Sequence, residues 1–425
     1  MDRFGLSELG RRTAPPPISW LMRLALDRRR LISLAAGFTD RATLPVAEAR
    51  QLLDGLLHSA KDARPSLQYG PTEGDPRLRR VTAGHVRDLD GRAAGSEAGY
   101  SPARVLITHG SQQLLYMVAE CLADPGDIIL VEDPTYLVFL AIVQSHGLRC
   151  RGIPVGPEGL DLEFLDRLLA GLQRSGELGR VKLCYLVSYF QNPTGVTTSF
   201  ERKAGLLELL RHYERAAGHR IYLLEDSAYR ELRFAGPDVP SALAVRGHQD
   251  RLIYSGTYSK PFATGVRVGY GFLPEPLFTA VNRVKGNHDF GTSNLLQQLL
   301  ARALASGCYA AHLEVLRRRY AHKARVMTKA LRTHFPAQTQ WQEPAGGLYV
   351  WARLPKRLRS GAGSVLFQNA LTKDVLYVPG ALCYAADPRR RKPDHEMRLS
   401  FGGATEADIR TGIARLGGVV KQLVR

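Results

Sequence analysis

Cysteine is scarce and odd in number, with only Cys121, Cys150, Cys184, Cys308 and Cys383 in 425 residues. None stands at metal-ligand spacing. That argues against a disulfide framework, and we expect a reducing, cytoplasmic setting with no bound metal. Apolar runs of transmembrane length are missing, so no membrane span is expected. The N-terminus lacks a basic region followed by an apolar signal core. Internal repeats and low-complexity segments are absent too. Acidic residues are in deficit: 40 Asp and Glu against 58 Lys and Arg leave a net charge of +18. Such an excess can attract nucleic acid or anionic membranes. Here the basic residues are scattered, with short clusters at Arg28-Arg29-Arg30, Arg317-Arg318-Arg319 and Arg389-Arg390-Arg391-Lys392. No nucleic-acid module accompanies them, so neither nucleic acid nor membrane is expected as a partner. Acidic metabolites fit the charge better.

What is present is the patterning of an ordinary globular chain long enough for two domains. Apolar stretches at 105–108, 127–132, 181–187, 221–225, 252–254 and 266–272 read as strands. Helical patterns at 76–89, 112–122, 135–146 and 200–217 alternate with them. Alternation of this kind predicts an α/β protein with a mostly parallel sheet between helices. From about residue 275 the pattern changes. Helices are expected at 276–287, 293–335 and 405–424, and strands at 347–351, 375–378 and 397–401, forming a small α+β unit. The N-terminal part should hold a short helix at 20–26, after Pro15-Pro16-Pro17, and another helix at 45–62. The expected division is an N-terminal segment over 1–60 that joins the small domain and contacts a partner subunit, a large domain over 61–315, and a small domain over 316–425.

Lys260 is the most informative residue. It follows Ser255, Thr257 and Ser259 and precedes Arg267 by seven positions. A lysine amine can form a Schiff base with an aldehyde cofactor. Hydroxyls and an arginine nearby can hold that cofactor's phosphate. Ligands of such sheets bind beyond the carboxyl ends of the strands, and most other candidates fall there. Ser111 and Gln112 open a helix whose free N–H groups can seat a phosphate, or Ser111 is a plain N-cap. Asp226 can keep a pyridine nitrogen protonated, or serve as a cap or ion-pair partner. Tyr229 and Asn192 can hydrogen-bond a ring oxygen, though Asn192-Pro193 is also ordinary turn chemistry. Tyr136 can stack on a planar ring or start a helix in the core. Arg398, between apolar neighbours on a late strand, needs an anion. A substrate carboxylate and an interdomain ion pair both qualify.

These segments stand in one order: SQQ at 111–113, DPTY at 133–136, QNPTG at 191–195, EDSAY at 225–229, SGTYSK at 255–260, GVRVGY at 265–270 and RLSF at 398–401. In that order they resemble the fold-type I pyridoxal phosphate enzymes of the class I/II aminotransferase branch. The match runs from about 33 to 420 and is most similar to the kynurenine/2-aminoadipate and aromatic aminotransferases. The resemblance implies a homodimer using pyridoxal 5'-phosphate. Lys260 is then the cofactor-bound lysine, Asp226 the partner of the pyridine nitrogen, and Asn192 and Tyr229 the contacts to the phenolic oxygen. Tyr136 stacks on the ring. Ser111, Gln112, Thr257, Ser259 and Arg267 fall on or beside the phosphate site, and Tyr69 reaches the phosphate of the neighbouring subunit. Arg398 takes the α-carboxylate, and Gly37 lines the substrate pocket. Two departures stand out. The family's usual Gly-Gly-x-Pro is here Ala36-Gly37-Phe38-Thr39. Trp20 stands where similar proteins often carry a substrate-side arginine, with Arg23 one turn away as a substitute.

The resulting expectation is an aminotransferase passing the amino group of an L-amino acid (aromatic, 2-aminoadipate-like or aliphatic) to a 2-oxo acid such as 2-oxoglutarate. A β-lyase or decarboxylase on the same fold is an alternative. A non-enzymatic effector-sensing domain is another. It would need a DNA-binding module, for which the roughly 30 residues before the match are too few.

Overall fold

In the computed structural model, residues 5–28, 30–92, 99–388 and 390–424 are described. Of the basic clusters, Arg29 and Arg389 lie outside that set. The apolar stretches assemble into one eight-stranded sheet. In spatial order its strands are Val105–Thr108, Gly269–Phe272, Leu252–Thr257, Tyr222–Asp226, Val181–Val187, Ile128–Asp133, Arg149–Gly156 and Gly159–Leu160. The strands from Leu252–Thr257 across to Arg149–Gly156 run parallel. Gly269–Phe272 is antiparallel to both neighbours, and Gly159–Leu160 closes the far edge as an antiparallel hairpin. Every residue of Ile128–Asp133 and Leu252–Thr257 is buried. These strands therefore read as continuous apolar runs with polar groups only at their ends, as expected of a sheet covered on both faces.

The helices start and stop where local chemistry directs. Phe200–Ala217 begins after Ser199, whose Oγ accepts from the Arg202 N–H, and ends at Gly218 in the left-handed region. Pro76–Leu89 is capped by Asp75 and carries Pro at its first position. The expected continuous helix over 293–335 is instead two, Asn294–Ala305 and Cys308–His334, separated at Gly307 with φ +78°. Likewise the expected helix at 45–62 divides into Val46–Leu57 and Ala60–Ser66. The strand Arg149–Gly156 and helix Leu162–Arg174 were not anticipated. The strand carries Gly152, Pro154 and Gly156, residues that weaken a strand signal, and forms through parallel pairing with Ile128–Asp133.

A second, antiparallel sheet of three strands is built from Tyr349–Arg353, Glu396–Ser400 and Val378–Pro379. The expected strand at 375–378 divides its loyalties. Val375–Leu376 pairs in parallel with Ile32–Ser33, while Val378–Pro379 joins the three-stranded sheet. This brings residues just past the N-terminal helix Pro17–Asp27 onto the late part of the chain. The long helix Cys308–His334 packs against the closing helix Glu406–Val424.

Candidate active site

Three parallel strands end side by side, and the chain turns there deliver the chemistry. Tyr222–Asp226 ends on Asp226, Val181–Val187 leads to Asn192, and Leu252–Thr257 runs into Ser259 and Lys260. Across from them, Arg398 comes from Glu396–Ser400 and Tyr349 from its neighbour Tyr349–Arg353. Between these groups lies a cavity of about 460 Å³. Its wall includes Gly37, Ser111, Gln112, Tyr136, Asn192, Asp226, Tyr229, Thr257, Ser259, Lys260, Arg267 and Arg398.

Lys260 Nζ donates to the Gly37 carbonyl at 2.8 Å. Burial, and then the positive charges of Arg398 and Arg267, bring its amine down to about 8. A lysine so shifted is a better nucleophile near neutral pH than a solvated one. Gly37 is required by space: a Cβ there would lie 2.6 Å from the Tyr349 hydroxyl.

Asp226 is buried and accepts hydrogen bonds from Tyr185 Oη at 2.8 Å and from the Ala228 N–H at 3.1 Å. Burial pushes its carboxyl up to about 6, against the pull of those two donors. Tyr185 is itself fixed by stacking on Phe139, with ring centroids 3.7 Å apart. Arg398 donates to Asn192 Oδ1 at 2.7 Å and to the Ala35 carbonyl at 2.6 Å, and its guanidinium lies 4.3 Å from the Tyr349 ring centre. Its Nε has no protein partner, and among the described residues no carboxylate pairs with it. The expected alternative of an interdomain ion pair is therefore not what is found.

At the other end, Ser111 and Gln112 occupy the first turn of helix Gly110–Leu122. Arg267, held at φ +50°, points back to this turn and reaches Ser259 Oγ at 3.5 Å. Strand and helix end approach so closely that a Cβ at Gly269 would sit 2.4 Å from the Ser111 nitrogen. The turn is braced by Gln113, whose side chain accepts from the His109 N–H and donates to Asp289.

Two expectations about the pocket wall are corrected. Trp20 does not line the cavity; it is 40% exposed and stacks on Phe367 at 5.7 Å. Arg23 is exposed and also outside the wall. The same helix, Pro17–Asp27, instead presents Ile18 and Met22 to the cavity. Residues i and i+4 share a helix face, and Trp20, two positions from each, points the other way. Tyr69 is not among its own chain's cavity residues either; it is 80% exposed and packs edge-on against Phe290. Sequence reasoning missed Tyr349 and Thr264, which line the wall, together with the apolar Phe38, Leu137 and Val138. Tyr349 was legible only as a strand residue. Leu137 and Val138 follow Tyr136 directly, which was the one available hint.

Three cations, Lys260, Arg267 and Arg398, face this cavity with a single carboxylate, Asp226. The excess positive charge suits a ligand carrying a phosphate and a carboxylate. The buried Asp226 suits a protonated ring nitrogen, and the volume is in the range of small-molecule sites. A lysine amine at the centre of such a set fits an aldehyde cofactor. The fold and this constellation define a pyridoxal phosphate-dependent enzyme of fold type I.

The chain belongs to the family described as aminotransferase class I and II, whose model matches residues 29–416. It is 33% identical over 393 residues to aromatic-amino-acid aminotransferase 1 of Thermococcus litoralis, covering 92% of this chain and 88% of the relative. It is 32% identical over 400 residues to the 2-aminoadipate transaminase of Thermus thermophilus, covering 94% and 92%. The kynurenine aminotransferase of Pyrococcus horikoshii, solved in complex with PMP, superposes with a TM-score of 0.88 at 30% identity over 99% of this chain and 98% of that one. The protein is thus a pyridoxal phosphate-dependent aminotransferase acting on an amino acid and a 2-oxo acid. Among the described residues, no helix is long and apolar enough to cross a membrane.

Proposed function

We propose that the amino donor is an L-amino acid with an apolar side chain, aromatic or aliphatic, and that 2-oxoglutarate serves as acceptor. The observation that carries this reading is the makeup of the cavity wall. Among the described residues it offers no cation beyond Lys260, Arg267 and Arg398, while Ile18, Met22, Phe38, Leu137 and Val138 supply apolar surface. A 2-aminoadipate-like donor would bring a second carboxylate without a guanidinium to meet it. The distal carboxylate of 2-oxoglutarate is in the same position, so it should bind less tightly than an apolar 2-oxo acid of similar size.

In this reading each candidate has a role. When bound, pyridoxal phosphate supplies an aldehyde carbon and a ring that accepts electrons from the substrate. Lys260 would hold the cofactor through its amine and, once freed, would move the proton at the substrate's Cα. Asp226 would keep the ring nitrogen protonated, Asn192 and Tyr229 would hydrogen-bond the ring oxygen, and Tyr136 would stack on the ring. Ser111, Gln112, Thr257, Ser259 and Arg267 hold the phosphate. Arg398 binds the α-carboxylate, with Gly37 beside it.

We further read the molecule as a cytoplasmic homodimer. Its N-terminal segment (1–60) and small domain (316–425) would close over the large domain (61–315). Tyr69, Phe290 and Leu67 are exposed at 80%, 59% and 67%, an apolar patch suited to a second copy. Tyr69 would there reach the partner's phosphate. The deciding experiment is a donor panel against 2-oxoglutarate, followed through the visible absorbance of the reconstituted protein. L-phenylalanine and L-leucine should bleach the band faster than L-2-aminoadipate, and a 2-oxo acid should restore it. Preference for the acidic donor would overturn the specificity reading. Undiminished multiple turnover in Lys260→Ala would overturn the site itself.

A further inference from the structure

Tyr349 is buried, 3% exposed, and lines the cavity between Arg398 and Tyr229. Its ring lies beneath the Arg398 guanidinium and meets Tyr229 edge-on, with centroids 5.6 Å apart and planes at 76°. The two hydroxyls are 3.1 Å apart. Among the described residues this is the Tyr349 hydroxyl's one hydrogen bond within the protein.

The direction of that bond follows from its neighbours. Arg398 donates to Asn192 Oδ1 at 2.7 Å, which fixes the amide with its oxygen toward the guanidinium. The Asn192 NH2 group is thereby turned to Tyr229, whose Oη it reaches at 3.3 Å. A phenol oxygen has one proton to give. If Tyr229 spent it on Tyr349, nothing would be left for a ligand oxygen in the cavity, and among the described residues Tyr349 would have no acceptor for its own. An anionic oxygen beside Tyr229 draws that proton inward, and the only arrangement that then satisfies both hydroxyls has Tyr349 donating. We infer that Tyr349 is a positioning residue whose hydroxyl donates to Tyr229 and turns the Tyr229 proton toward the ring oxygen of the bound cofactor. Hydrogen bonds in such a chain strengthen one another, so Tyr229 becomes the better donor. The site is held open for it by Gly37, where a Cβ would crowd the Tyr349 hydroxyl at 2.6 Å. The same Gly37 receives the Lys260 amine through its carbonyl. This inference rests on the reading that Tyr229 faces the cofactor's ring oxygen.

The test uses reconstituted holoenzyme without amino acid. Tyr349→Phe keeps the ring under Arg398 and removes one oxygen, so the fold and the guanidinium contact are retained. A weaker Tyr229 donor leaves more negative charge on the ring oxygen. That charge holds the proton on the cofactor-bound Lys260 nitrogen more firmly. The pH midpoint of the visible band should therefore rise in Tyr349→Phe, by about half a pH unit or more. Tyr229→Phe should raise it further. The double variant Tyr229→Phe/Tyr349→Phe should match Tyr229→Phe alone, because Tyr349 acts only through Tyr229. An unmoved midpoint in Tyr349→Phe, or additive shifts in the double variant, would overturn the inference. So would a raised donor KM without any spectral shift, the mark of a hydroxyl that meets substrate directly. A visible band that survives in Lys260→Ala counts against the wider functional reading. A normal band with an unmoved midpoint counts against Tyr349 alone.

Discussion

Lys260 and Asp226 are ionisable side chains whose surroundings pull them in opposite directions. The Lys260 amine is lowered to about 8 by burial, then by Arg398 and Arg267. Its neutral, nucleophilic form gains as pH rises, so cofactor capture by the apo-protein should accelerate with pH around a midpoint near 8. Replacing Arg398 by Gln removes a positive neighbour and should move that midpoint upward. The growth of visible absorbance after mixing with pyridoxal phosphate, followed over pH, checks both. Asp226 sits at about 6 because burial outweighs the donors Tyr185 and Ala228. Tyr185→Phe removes one bond that favours the carboxylate, so the acid limb of the rate profile should move to higher pH. Asp226→Asn has no charge to offer and should slow the chemical step about 10²-fold or more in single turnover. Among the described residues Arg398 has only neutral acceptors, so its guanidinium is left for the α-carboxylate that every donor carries and its loss should damage every donor alike. Arg398→Ala should cost roughly 2–5 kcal/mol in kcat/KM for aromatic and acidic donors together.

The helix Pro17–Asp27 puts Ile18 and Met22 on the cavity wall, and in the proposed reading it is the element that would decide side-chain selectivity. Pro17 at its first position and the prolines before it fix where the helix begins. That start turns Ile18 and Met22 inward and leaves Trp20 on Phe367. Met22→Arg should therefore improve kcat/KM for L-2-aminoadipate relative to L-phenylalanine by placing a guanidinium in the wall. Trp20→Ala should leave that ratio unchanged and lower stability by about 1 kcal/mol through the lost ring contact, read as a thermal shift. A reordered donor preference in Trp20→Ala would restore the reading that sequence spacing first suggested. Residue spacing located the helix correctly, but it could not state which of its faces looks inward.

For the whole molecule, the parallel pair Ile32–Ser33 with Val375–Leu376 ties the start of the chain to its late part. The exposed Tyr69 and Phe290 are not among the residues lining their own cavity. We expect sedimentation under assay conditions to give a dimer. Tyr69→Phe should keep that dimer yet speed release of the cofactor into dilute buffer, because in the proposed dimer the lost hydroxyl would belong to the partner's phosphate seat. A fully active monomer would refute the assembly. Mixed dimers of Tyr69→Ala with Lys260→Ala subunits should regain activity, since one of their two sites draws an intact Tyr69 from one chain and an intact Lys260 from the other.

The sequence by itself determined the elements whose signals are local. Ser199 and Gly218 bound the helix Phe200–Ala217 where the pattern ends, and the buried strands are mainly apolar runs that end on Asp226 or lead to the turn at Asn192. Because ligands of such sheets collect at strand ends, most of the polar wall could be named from motifs alone. Other features were decided only by tertiary contact. Arg149–Gly156 is a strand because Ile128–Asp133 pairs with it, despite its glycines and proline. The break at Gly307 separates two helices that read as one. Tyr349 meets Tyr229 from 120 residues away, and Arg398 meets Ala35 from 363 away. A side chain's direction depends on what packs against its element, and those neighbours are remote in sequence. Residue spacing therefore reveals which groups a site contains before it can reveal which way they point.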